Sequence, residues 1–109
     1  MSPTIQSLVI PVSDLAAATS VYTALLGDPH TDTPYYVGYN VGGFEVALAP
    51  GDVAGGPVTY ADVEDLEAAR DTLLAAGATE RDAIRQVGPG ARICVVDDAD
   101  GNPIGLRGA

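Results

Sequence analysis

Two stretches of this chain echo one another: Val12-Ser-Asp-Leu-Ala-Ala-Ala18 and Val63-Glu-Asp-Leu-Glu-Ala-Ala69. Each begins where an apolar run of period two ends, then passes through an aspartate into apolar spacing near 3.6. That pattern is a strand feeding a helix through an Asp N-cap. Residues 5–12 put Leu8, Ile10 and Val12 on one strand face. Leu15, Ala18, Tyr22 and Leu25 follow at helical spacing, and Gly27 supplies the left-handed residue that ends the helix. The second copy repeats this. Val58–Val63 is a strand, and a helix runs from Glu64 or Asp65 to Ala76 with the stripe Leu66, Ala69, Leu73 and Ala76, closed by Gly77.

Short strands follow each copy. After the first they fall at about 30–33, Tyr35–Val41 and Phe44–Ala49, with Gly42-Gly43 as a tight hairpin turn. After the second they fall near 80–86, 91–97 and 103–107, with Asp98–Asn102 as the turn before the last. Pro50–Pro57 is the linker-like stretch. The expected organisation is one α+β domain over 1–109: a β-α-β-β-β module over 1–50, a linker at 51–57 and a second module over 58–109.

Composition narrows the function. With 47% hydrophobic and 18% charged residues, the 109-residue chain is globular and not disordered. Fifteen acids against five bases leave a net charge of −10, which repels phosphate backbones and anionic bilayers, so neither nucleic acid nor membrane is an expected partner. The chain contains no lysine, which excludes Schiff-base chemistry and a phosphate-loop lysine. Alanine abundance with arginine as the only strong base is the pattern of GC-rich bacterial coding. Cys94 is the single cysteine and has no internal disulfide partner. The opening residues lack the basic and apolar regions of a signal peptide, and a cytoplasmic protein is expected.

The twofold β-α-β-β-β plan resembles the vicinal oxygen chelate superfamily, which includes glyoxalase I, extradiol dioxygenases, methylmalonyl-CoA epimerase and bleomycin-resistance proteins. Three segments carry the resemblance: Val9-Ile-Pro-Val-Ser-Asp-Leu15, Tyr22-Thr-Ala-Leu-Leu-Gly27 and Asp98-Ala-Asp-Gly-Asn-Pro-Ile-Gly-Leu106. The resemblance implies a curved mixed sheet whose two modules enclose a cup. In the family's enzymes, a divalent metal is held there from the first and last strands of each module. Carried over by motif spacing, those positions are Ser7 and Val58 on the first strands and Ala47 and Gly105 on the last. Ser, Val, Ala and Gly offer no imidazole, carboxylate or thiolate, and a one-residue slip does not supply a set. No metal and no other cofactor is expected. A metal-dependent lactoylglutathione lyase or dioxygenase is disfavoured.

Strand alternation, with the resemblance, then assigns the cup face. Ser7 brings Val9 and Pro11; Ala47 brings Glu45 and Ala49; Val58 brings Tyr60 and Asp62; Gly105 brings Pro103 and Arg107. On the 91–97 strand, Ile93 and Val95 are assigned to the core, leaving Arg92, Cys94 and Val96 for the cup. On the 35–41 strand, Val37, Tyr39 and Val41 are assigned to the core and Tyr36, Gly38 and Asn40 to the cup, with Tyr35 and Tyr39 as the alternative face. The glutamates, aspartates and arginines also fit ordinary solvated strand charges, the tyrosines fit wall residues, and Cys94 fits a buried small hydrophobe. His30, beside Pro29, reads as a surface loop residue away from the four metal positions. Ser7 has no His–Asp relay, and Gly88-Pro-Gly90 reads as a hairpin. Asp98–Asn102 lacks the length and final Glu of a calcium loop.

Two function classes remain. The first is a metal-free binding protein of the bleomycin-resistance kind, holding a cationic or aromatic small molecule in a cup at a homodimer interface. The second is a metal-independent isomerase, lyase or hydrolase with Asp62 or Glu45 as base and Arg92 or Arg107 holding a carboxylate or enolate. A purely dimeric interaction module is a third reading, favoured by a collapsed cup.

Overall fold

In a computed structural model that describes residues 4–109, the chain forms two compact units. One spans Gln6–Val58, and the other spans Thr59–Ala109 together with Thr4 and Ile5. The first contains β1 (Thr4–Val12) from Gln6 onward, α1 (Leu15–Leu26), β2 (Thr31–Thr33), β3 (Tyr36–Val41) and β4 (Phe44–Pro50). The second contains β5 (Val58–Asp62) from Thr59 onward, α2 (Leu66–Ala75), β6 (Thr79–Gly88), β7 (Ala91–Asp97) and β8 (Pro103–Gly108). A short 3-10 turn at Val53–Gly55 lies in the linker stretch. No helix is long and apolar enough to cross a membrane.

Both strand-to-helix junctions close in the same way. Asp14 Oδ1 accepts from the Ala17 amide at 3.0 Å, and Asp65 Oδ1 accepts from the Ala68 amide at 3.0 Å. Each bond satisfies a helix-end amide that has no backbone partner, worth about 1 kcal/mol. Gly27 ends α1 at φ 86, and Gly77, past α2, sits at φ 115, conformations that side chains with a Cβ avoid.

The first unit orders its strands β2-β3-β4-β1. β1 and β4 run parallel, with Leu8 opposite Val46 and Ile10 opposite Leu48; β3 and β4 run antiparallel, with Val37 opposite Leu48 and Tyr39 opposite Val46. All of these residues share the face that α1 covers. Val37, Tyr39 and Leu48 are buried there, packed by Ile10, Val12, Leu15, Ala18, Tyr22 and Leu26. The stripe of α1 therefore ends at Leu26 and not at Leu25, which is 76% exposed. At about 100° per residue, Leu26 lies some 20° from Leu15 around the helix, whereas Leu25 lies about 80° away.

The second unit orders its strands β6-β7-β8-β5. Under α2, Leu66, Cys94 and Leu106 are buried, with Ala61, Val63, Ala69, Leu73 and Ile84 packed against them. Ala76 is exposed, so the α2 stripe ends at Leu73. A fully buried leucine such as Leu66 or Leu48 contributes about 1.5–3 kcal/mol of transfer free energy.

Candidate functional site

In each unit the sheet face away from the helix carries the polar chemistry, and a glycine on that face lets a ring lie down on the backbone.

In the first unit that glycine is Gly38. A Cβ at this position would stand 3.2 Å from the Tyr36 ring and 3.3 Å from the His30 imidazole. The His30 amide donates to the Gly38 carbonyl at 2.9 Å, which extends the β2–β3 pairing and holds the imidazole over the strand. His30 Nε2 then meets Glu45 Oε1 at 3.0 Å, and the Tyr36 hydroxyl donates to Glu45 Oε2. A carboxylate only accepts, so Nε2 carries the proton, and in neutral His30 Nδ1 accepts from the Thr31 hydroxyl at 2.8 Å. Glu45 is 28% exposed and keeps lone pairs free beyond these two bonds. Ser7 stands opposite Glu45 in register and is half-buried. Ala47, opposite Gly38, is wholly buried.

His30 is exposed and stands in the bend just before β2, as a surface loop residue, but its ring also reaches the Glu45 cluster, which the sequence reading did not foresee. A glycine in the middle of Tyr36-Val-Gly-Tyr39 was the available sign, because a strand glycine often marks a close approach. Val37 and Tyr39 face the helix and Tyr36 and Gly38 face away, as the alternation implied. Asn40 shares the latter face but is spent on the turn, where its carboxamide oxygen accepts from the Gly43 amide at 2.9 Å.

In the second unit the glycine is Gly105. Its Cβ would fall 2.5 Å from Tyr60 Cδ1 and 2.6 Å from Cε1, so the Tyr60 ring already fills the space that a side chain at 105 would take. Burial pushes the Tyr60 phenol above its usual pKa; the Arg85 charge opposes this, and Asp82 and Cys94 add to it. Register continues the face across the sheet. Tyr60 pairs with Gly105, Gly105 with Val95, and Val95 with Asp82. One row further, Asp62 pairs with Arg107, Arg107 with Ile93, and Ile93 with Arg85. An open groove of about 520 Å³ runs from Asp62 and Arg107 to the Pro89-Gly90 turn and Ala109.

The assignment of β7 is reversed by the structure. Cys94 pairs with Leu106, which faces α2, so Cys94 lies in the core under the helix and not on the opposite face. Burial raises its thiol pKa, which leaves it a poor nucleophile. Arg92 shares that side and reaches α2: its two terminal nitrogens donate to Glu67 at 2.7 and 2.8 Å. This fork holds the Glu67 carboxyl down at about 2. Sequence alternation failed here because the middle of β7 is buried on either face: Cys94, Val95 and Val96 are all buried, and the polarity pattern is lost.

The four positions that a family metal would need do not fit one. Ser7 offers a hydroxyl, Ala47 and Val58 offer hydrocarbon, and Gly105 lies beneath the Tyr60 ring. Among the described residues, no three His, Cys, Asp or Glu side chains gather as a divalent ion requires.

Comparison with known proteins agrees with this architecture. Residues 4–106 match the family profile of the Glyoxalase/Bleomycin resistance protein/Dioxygenase superfamily. A superfamily member from Vibrio splendidus 12B01 superposes with a TM-score of 0.76 at 16% identity, covering 99% of this chain and 100% of its own. Methylmalonyl-CoA epimerase from Mycobacterium tuberculosis superposes with a TM-score of 0.71 at 24% identity, covering 95% and 86%. An extradiol ring-cleaving dioxygenase from B. fuscum gives 0.65 at 21% identity, over 96% of this chain but 33% of that one. No curated protein matches the chain.

Proposed function

The chain belongs to the Glyoxalase/Bleomycin resistance protein/Dioxygenase superfamily, and from that premise we infer that it binds a small organic molecule without a metal ion. The observation that carries this reading is the chemistry of the four metal positions. Three have no donor atom in the side chain, and the fourth, Ser7, offers only a neutral hydroxyl. Fold alone does not supply function, so the residues left on the sheet faces define the ligand. Glu45, with its spare lone pairs beside the Tyr36 and His30 rings, favours a hydrogen-bond donor or cationic group on a flat or aromatic body. The binding unit is a homodimer, because sheet edges and exposed apolar residues gain by being paired. The protein acts in the cytoplasm.

Elemental analysis and native mass spectrometry on protein purified from its own cells test this together. A co-purifying organic mass on a dimer, with no stoichiometric transition metal, is the expected result. About one metal ion per chain surviving dialysis refutes it.

The His30–Glu45–Tyr36 chain of hydrogen bonds favours a second reading, a metal-independent isomerase, lyase or hydrolase with Glu45 as the base. Arg92 is withdrawn from such a role by Glu67, while Arg107 remains available. Glu45→Gln separates the two readings. An enzyme loses turnover while retaining affinity, whereas a binder shows no turnover to lose.

A further inference from the structure

Five arginines serve fifteen acids in this chain, yet the pairing is uneven. Arg70, Arg81 and Arg92 sit in ion pairs with Asp71, Asp97 and Glu67. Among the described residues, Arg85 and Arg107 make none. These two lie on the same face of one sheet, in the row Asp62–Arg107–Ile93–Arg85. With strands about 4.8 Å apart, their Cα atoms stand about 10 Å from each other, within reach of one shared anion above Ile93.

A break in the β6 ladder produces this arrangement. From Asp82 to Arg85 is three residues, but their partners Val95 and Ile93 are only two apart, and the register shifts between them. In an unbroken ladder, residues three apart such as Asp82 and Arg85 would face opposite sides. The bulge turns Ile84 into the α2 core and brings Arg85 out beside Arg107. The influence of Arg85 on the Tyr60 phenol agrees with a guanidinium lying back across this face.

We propose that Arg85 and Arg107 form a carboxylate clamp for a small organic acid, whose apolar body lies on Ile93 and Tyr60 and along the groove toward the Pro89-Gly90 turn. This deepens the small-molecule reading above and rests on it. Guanidinium groups recognise carboxylates through paired N–H donors, and here neither is committed to a protein acid. Asp62 and Asp82 border the site, so a second negative charge on the ligand is repelled. A monocarboxylate is preferred over phosphate.

The test is NMR titration of the full chain with phenylacetate, its neutral analogue phenylacetamide, and inorganic phosphate. Phenylacetate is expected to move the Arg85 and Arg107 Nε–Hε signals and the Ile93 methyls. The other two should not. Arg85→Gln with Arg107→Gln should weaken phenylacetate at least tenfold, about 1.4 kcal/mol. Arg92→Gln, on the helix side, should leave its affinity unchanged. Both clamp residues are exposed, so their loss should barely affect folding. Equal shifts with phenylacetamide, tighter binding of phosphate, or unchanged affinity in the double variant overturns the clamp. If carboxylates fail while another compound in a fragment screen binds a sheet face, the clamp falls and the metal-independent binder stands. Silence across the whole screen sinks both.

Discussion

Gly105→Ala adds one methyl group where the structure leaves no room. The new Cβ would stand 2.5–2.8 Å from three atoms of the Tyr60 ring, well inside carbon–carbon contact. The ring must move, and it cannot sink into the strand beneath it. Overpacking of this kind costs about 1–3 kcal/mol. Alanine also restricts the unfolded chain and returns about 0.4–1 kcal/mol, since φ at 105 is not positive. The expected net loss is about 1–2 kcal/mol, or a drop in Tm of about 4–16 °C at 4–8 °C per kcal/mol for a unit of this size. Thermal unfolding by circular dichroism reads it directly. In a Tyr60→Ala background the obstruction is gone, and Gly105→Ala should become neutral or stabilising. The double-mutant cycle isolates the contact. Equal destabilisation in both backgrounds, or a raised Tm in the parent, would show that the ring does not lie on Gly105.

Other expectations follow from single contacts. Leu106→Ala opens a cavity between Leu66 and Cys94 and should cost about 2–5 kcal/mol, read by urea unfolding. Asp14→Ala and Asp65→Ala each remove one N-cap and should each cost about 1 kcal/mol. The Glu67 carboxyl should titrate near 2, and Arg92→Gln should return it toward 4.5, as read by carboxyl-carbon NMR shifts. Because the folded pKa is depressed, any stability from this fork is present above about pH 4.5 and fades as pH falls toward 2. The Tyr60 phenol should titrate above an ordinary tyrosine, and Arg85→Gln should raise it further by removing the opposing charge. A fall in that variant would place Arg85 away from Tyr60.

The fold was legible because its signals are local and occur twice. Asp14 and Asp65 cap their helices through the same i, i+3 bond, and period-two runs precede both, so a reader of either half obtains the other. That Ser7, Ala47, Val58 and Gly105 carry no imidazole, carboxylate or thiolate is residue identity, but that a metal would sit at these four positions is only what the resemblance implies. The orientation of β7 was not legible. Its residues from Ile93 to Val96 are apolar or small on both faces, so only pairing with Leu106 on β8 decides which side Cys94 takes.

What the sequence determined by itself is therefore what residue identity and short windows contain: the duplicated strand–helix plan, the caps and the acidic charge. Tertiary structure alone decided how charges and rings meet across strands. His30 reaches Glu45 only because β2 folds back on β3, and the lone glycine under its ring was a hint without a partner. Arg85 reaches the face of Arg107 only because β6 carries one residue more than β7 between their shared pairs. Register is set by hydrogen bonds between strands distant in sequence. Since the side-chain period is two, one unpaired residue reverses every side chain beyond it.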